Sequence, residues 1–339
     1  VPIQGIVKIT TENTLSKAKK VVGSEDILIG DPHFDDYMLL KASQENKLLP
    51  LLHSQLRKKI RKLAKDSMKF EISNSWIIAE YSEQHFHYPV KLLEIISTLK
   101  EISQELCNEN IKEIIESNIL TDPIENFRLR NLHILLSDFN SEDNSSTLKE
   151  ALADKSHSMQ ILAASNLEKE GMEHLEKMLV NIKNNFHENK KEFNTITYIL
   201  AGNNHIESID LLKKLYKEIE ESLARESILK AFTLYATTEL HDFLLIELNS
   251  IKEEKNIPLL KELIAALGTC GSIEAVETLV RLTEDDTYSL LKKEIQKSIS
   301  HIQSRLGDVE SGWTSLSDHN IEEGKLSKAS DKSGSLSKS

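Results

Sequence analysis

Asp31 and His33 stand two residues apart in "IGDPHFDD" (29–36), and Asp138 in "LLSDFN" and Asn203 and His205 in "LAGNNHIE" follow far downstream. Carboxylate, imidazole and amide side chains of this kind, gathered within a few ångströms, can hold two metal ions and deprotonate a bridging water near neutral pH. A D-x-H segment followed by G-N-H supplies these ligand types in turn, and Asp35 adds a further oxygen nearby. His85 and His87 of "HFH" would share one face of an extended segment. No third Cys, His or carboxylate follows them at a metal-ligand spacing.

Whether these residues meet depends on the elements that carry them. Only 11 Gly and 6 Pro interrupt 339 residues, and from about residue 110 onward the apolar positions keep helical spacing. In 257–282, Leu259, Leu260, Leu263, Ile264 and Leu267 make one stripe; after a turn at 268–272, Ile273, Val276, Leu279 and Val280 make another. Such a pair is a helical hairpin. It recurs every 33 to 34 residues: Leu167, Leu200, Leu234 and Leu267 end successive first helices, and Leu179, Leu212, Ile246 and Leu279 lie in the second helices. Gly171, Asn204, Thr238 and Gly271 fall in the turns between. Gly and Asn tolerate the left-handed backbone that ends a helix, and Thr238 is the exception. Residues 121–140 with 145–154 read as an earlier hairpin, and 289–307 as a last helix closing on Gly307. Each hairpin alone has too little apolar surface to fold, so neighbours must stack into an α-solenoid.

The repeat changes the reading of the metal motifs. Asn203 to His205 fall at the turn equivalent to Gly171 and Gly271, and Asp138 to Asn140 at roughly that turn one unit earlier. In calcineurin-like phosphoesterases such segments follow buried strands, and a G-H-x-H segment supplies the last ligands; neither feature stands here. The expectation is therefore no catalytic residue, no cofactor and no metal, with Asp31, His33 and Asp35 as the candidates should a metal bind. Gly30-Asp31-Pro32 is turn chemistry, the Asp accepting backbone N–H groups while Pro32 fixes φ and Phe34 anchors the turn in the core.

The first hundred residues differ. Segments 5–10, 37–42, 68–73 and 76–82 alternate as short strands, with "SNS" at 73–75 joining the last two as a hairpin. Residues 45–65 read as one or two helices and 88–107 as another, which makes an α+β unit. The expected organisation is an α+β domain at 1–107, an all-α solenoid of helical hairpins at 108–306 and a disordered Ser/Lys/Asp-rich tail at 307–339.

Segments 150–179 and 263–282 resemble HEAT-like repeats of the short type also found in phycobilisome lyases, whose pattern runs A-L-x-D, A-A-x-x-L-G-x-x-G, then A-x-x-x-L. The resemblance covers about residues 120 to 306, with Ser158-Met159 where such repeats carry Val-Arg. It implies a solenoid that binds a protein partner on its concave face, and it raises bilin lyase-like chromophore binding as a rival. Gly30, Asp31, Pro32, Phe34, Asp35 and Tyr37, together with the repeats and a tail of G-x-L-S units, resemble the layout of bacterial proteins with a G-D-P-x-F-D α/β domain. That layout implies no known activity.

The concave face would be built from the second helices, which offer Lys213, Lys214, Glu277 and Arg281 to a partner. One positive run interrupts an otherwise acidic chain: in "LRKKIRKLAK" the residues Arg57, Lys58, Lys59, Arg61, Lys62 and Lys65 form a polar face opposite Leu56, Ile60, Leu63 and Ala64. This face reads as a solvated basic surface, or as a contact with an anionic membrane through residues 56–65. The net charge of -12 argues against nucleic acid. Cys107 and Cys270 make no disulfide framework, which points to a reducing, cytoplasmic setting, or to the membrane should an anchor precede Val1.

Overall fold

Alternation of buried and outward residues sets the first sheet. In a computed structural model describing residues 7–11, 26–73, 76–83, 89–108, 110–139, 142–203, 205–234, 238–254 and 256–307, strands β1 (Val7–Thr11), β2 (Met38–Ala42), β3 (Lys69–Ser73) and β4 (Ile77–Glu80) form an antiparallel sheet in the order β2-β1-β3-β4. Ile9 pairs with Leu40 on one side and Ile72 on the other, so the inward face carries Val7, Ile9, Met38, Leu40, Phe70 and Ile72, all buried. Lys8 points the other way and reaches Glu71 at 3.2 Å. Residues 74 and 75, the expected hairpin turn, lie outside the described residues, as do His85, His87, Asn204 and the expected tail from 308 onward.

Helices α1 (Pro32–Asp35) and α2 (Glu45–Leu48) are short, α3 (Ser54–Asp66) lays Leu56, Ile60, Leu63 and Ala64 inward, and α4 (Pro89–Leu106) follows. A helical body succeeds this α+β start: α5 (Ile111–Thr121), α6 (Glu125–Asp138), α7 (Ser145–Ala151), α8 (His157–Ala164) and α9 (Lys169–Ile182). No helix among the described residues is long and apolar enough to cross a membrane.

The chain divides into two compact units, Val1–His174 and Leu175–Ser339, the division falling within α9. The boundary expected between residues 107 and 108 lies inside the first unit. The reason is a single core that runs from Ile9 and Phe70 of the sheet through Ile60 of α3 to Ile119, Phe127, Leu135, Leu148 and Met159 of the helices that follow. Burying each of these side chains contributes about 1.5–3 kcal/mol, so the sheet and the first helices share one source of stability.

The second unit continues with α10 (Lys190–Gly202), α11 (Ile206–Glu218), α12 (Ser222–Phe232), α13 (His241–Glu254), α14 (Ile257–Cys270), α15 (Ile273–Glu284) and α16 (Lys292–Gly307). Here α10 packs on α12, α12 on α14 and α14 on α16. The last pair is close: a Cβ on Gly268 would lie 2.8 Å from Ser298 Oγ. Arg305 of α16 donates to the carbonyls of Gly271 and Gly268 at 2.6 and 3.3 Å, satisfying the end of α14. Asn256 accepts from Leu259 N–H and donates to Ser222, tying together the starts of α12 and α14.

Two features depart from the sequence reading. Gly171 lies in the first turn of α9 rather than in a connection, and among the described glycines only Gly30 has a positive φ, +86°. Gly171 and Gly271 are set by space instead, since a Cβ there would sit 2.0 Å from Ala164 O and 2.4 Å from Leu267 O. The third hairpin is also out of phase: Leu234 and Ile246 are 54% and 64% exposed, while Leu244 and Leu248 face the core. A 3-10 turn at Thr238–Leu240 before α13 accompanies this rotation.

Candidate functional site

The "GDPHFDD" segment is fastened from three directions. Gly30 takes the left-handed conformation that lets the backbone turn, and its N–H and that of Ile29 donate to the two oxygens of Asp35 at 2.8 and 3.0 Å. Pro32 opens α1 with its φ already fixed, and Phe34 is buried in the core. Asp31 caps the turn by accepting from His33 N–H at 3.1 Å, and its other oxygen accepts from Arg57 Nε at 2.9 Å.

Arg57 overturns one expectation. Placed by sequence on the basic surface, it is 2% exposed, because it lies one turn from Ile60 and two turns from Ala64 on the inward stripe of α3. Its guanidinium donates to Leu52 O at 2.8 Å and grips Asp122 through two bonds of 3.0 and 3.1 Å, with the Phe127 ring 4.5 Å away. Four of its five N–H donors are thereby used, which is what a buried guanidinium requires. Asp122 also accepts from Ile124 N–H, the same local turn that Asp31 makes with His33. A second pair repeats the arrangement: Arg128 grips Asp154 through two bonds of 2.9 Å, donates to Asp122 O at 3.0 Å, and Asp154 accepts from Ser156 N–H.

Asp122 and Asp154 were not singled out from sequence. The available signal was an Asp two residues before "IENF" and again before "SHSM", each ahead of a helix, and an Arg at an apolar phase of its helix.

These bonds bear on metal chemistry directly. Both oxygens of Asp31 and both of Asp35 are engaged, so a cation at Asp31 would have to displace Arg57 and leave a buried charge with one fewer partner. Asp138 closes α6, where Ser137 and Asn46 donate to it, while Asn203 and His205 flank the turn between α10 and α11. Burial pushes the Asp35 carboxyl above the ordinary aspartate range, with Asp31 adding to it, while the Ile29 and Gly30 N–H groups and Arg130 pull it back. The folded chain thus holds this proton more tightly than the unfolded chain. The contribution is stabilising below the unfolded pKa and is lost as pH rises through the folded one. A carboxyl-detected NMR titration should give Asp35 a midpoint above that of a free aspartate; a lower midpoint would mean that the two N–H bonds outweigh burial.

The rest of the basic run separates by helical angle into two groups. Lys59 leaves the expected free surface to pair with Glu101 and Glu105 of α4 at 2.9 and 2.7 Å, and Lys62 pairs with Glu94 at 2.5 Å. Those carboxylates hold both ammonium groups in the charged form, raising their pKa values. Lys58, Arg61 and Lys65 line the adjoining flank, where α1 and the chain beyond it bring His33, Asp36 and Tyr37 to face them across a cleft of about 510 Å³ that Lys62 also borders. Tyr37 is held there by donating to Ala64 O at 3.3 Å. Two stretches read separately in the sequence, "GDPHFDDY" and "LRKKIRKLAK", form this one cleft.

In the second unit Lys213 bonds to Asp210 and Lys214 lies 3.8 Å from Glu218, both within α11, whereas Glu277 and Arg281 pair with each other at 2.6 Å on the exposed side of α15. No protein-family model, curated protein or solved structure matches the chain.

Proposed function

We propose that the chain is a non-enzymatic binding protein whose helical body is a solenoid of HEAT-like hairpins serving as a scaffold for a protein partner. The observation that carries this reading is the row α10, α12, α14, α16, each packed on the next, with α11, α13 and α15 as the intervening second helices. Such a row builds an extended surface by repetition rather than a catalytic pocket. The second helices expose Lys214, Glu277 and Arg281 together with Ile246 and Ile273, a mixture of charge and apolar surface suited to a protein contact. Lys213 is the most covered of the four charged residues expected at the interface. Cys107 and Cys270, both thiols, accord with a cytoplasmic setting.

The test is affinity capture from native lysate with the intact chain and with Lys214→Glu/Arg281→Glu. A protein recovered by the first and lost with the second is the expected result. Recovery that is indifferent to the charge reversal, or no specific protein at all, would overturn the reading.

A further inference from the structure

We propose that the cleft between α1 and α3 binds a small phosphorylated polyol, its phosphates held by Lys58, Arg61 and Lys65 and a hydroxyl by Asp36. The inference stands apart from the scaffold reading, because it concerns the α+β part of the first unit alone.

Three observations converge on it. First, Lys58, Arg61 and Lys65 recur at helical-turn spacing on one flank of α3, and among the described residues none of the three has an acidic partner, although the chain carries a net charge of -12. Like charges one turn apart repel, by about 0.2–0.5 kcal/mol per pair, so the bare flank is electrostatically unfavourable by itself. An anion lying between the three cations reverses that sign. Lys59 and Lys62 on the neighbouring flank show the alternative, since α4 supplies Glu94, Glu101 and Glu105 to neutralise them.

Second, the cations line a concavity rather than a convex patch. Its volume of about 510 Å³ is that of a small-molecule site, which ordinarily spans about 300–1,000 Å³. Arg61 is half-buried in it, and a planar guanidinium matches two phosphate oxygens at once where a lysine offers a point charge.

Third, the facing wall is not basic throughout. Asp36 is exposed there beside the Tyr37 ring and the His33 imidazole. A carboxylate would repel bare inorganic phosphate, but it accepts hydrogen bonds from hydroxyl groups, and an aromatic ring packs against the C–H face of a sugar or cyclitol. The lining therefore selects a molecule that carries both phosphate and hydroxyl groups. Such a ligand is found free in solution or as the headgroup of a phosphoinositide.

The experiment uses the full chain. Isothermal titration with inositol trisphosphate, and co-sedimentation with phosphatidylcholine vesicles with and without a phosphatidylinositol phosphate, distinguish the free ligand from the headgroup. Saturable binding is expected, weakened about tenfold or more by Arg61→Ala, in line with the loss of one charge-assisted bond pair. Lys58→Ala and Lys65→Ala, at exposed positions that leave folding intact, should weaken it in the same direction, and Lys59→Ala should leave it unchanged. Asp36→Asn should weaken inositol trisphosphate while strengthening inorganic pyrophosphate. The proposal fails if the intact chain binds neither form saturably, or if Lys59→Ala costs as much as Arg61→Ala, which would mark a diffuse charge effect. It fails equally if Asp36→Asn strengthens both probes alike, because the carboxylate would then be only a repulsive neighbour.

Discussion

Asp122→Ala is expected to destabilise the chain by about 3–5 kcal/mol, because it removes the two bonds that hold the guanidinium of Arg57 and leaves that buried charge with Asp31 and one carbonyl. The loss exceeds that of an ordinary hydrogen bond. Asp122 also accepts from Ile124 N–H through its carboxylate at the entrance to α6, so one further contact is lost, while the main-chain carbonyl that Arg128 bonds to is retained. Urea unfolding followed by circular dichroism measures the difference. Arg281→Ala, which breaks an ion pair in solvent, should give no resolvable change in the same assay. A loss below about 1 kcal/mol for Asp122→Ala would mean that Arg57 finds water or another acceptor, contrary to the burial observed.

The second large effect separates two leucines that the sequence period makes equivalent. Leu267→Ala should cost about 2–5 kcal/mol, since the side chain is fully buried in α14 between its neighbours and its removal leaves a cavity. Leu234→Ala, at the matching position one unit earlier, should change stability by no more than about 0.5 kcal/mol, because that side chain lies beyond the end of α12 and half in solvent. Equal losses at both positions would restore the uniform 33 to 34 residue register and contradict the rotation seen in the third hairpin.

That comparison shows what the sequence could and could not convey. Period-two alternation places each of the four strands within two residues of its expected ends, and helical stripes locate α4, α14 and α15 to within about three, since these patterns are local consequences of one buried face. Repeat register is less legible. Apolar positions recur every three or four residues along a helix, so an alignment one turn out of phase matches nearly as well, and the 3-10 turns at Lys183–Asn185 and Thr238–Leu240 alter the spacing without disturbing the stripe. Glycine was ambiguous in another way: Gly30 marks a left-handed turn, whereas Gly171 and Gly271 mark close approach, and one letter stands for both.

The candidate site was legible in its parts. The turn residues and the basic run both stand out in the sequence, but the fate of each cation depends on what α3 packs against. Arg57 meets Asp122 across 65 residues, and Lys59 meets Glu105 across 46, pairings with no local trace in the chain. The same long-range bonds carry the first unit past residue 107, because Asp122 and Phe127 complete the surroundings of a residue on α3.

The carboxylate of Asp31 accepts from Arg57 Nε, the bond that a metal ion at this turn would have to displace. A double-mutant cycle of Asp31→Ala and Arg57→Met, read by urea unfolding with and without added Mn²⁺ or Zn²⁺, decides between the two roles. The expected result is a coupling of roughly 1.5–3 kcal/mol between the two substitutions and no dependence of the cycle on metal. Additive substitutions, with a metal-induced stabilisation of the intact chain that disappears in Asp31→Ala, would contradict it.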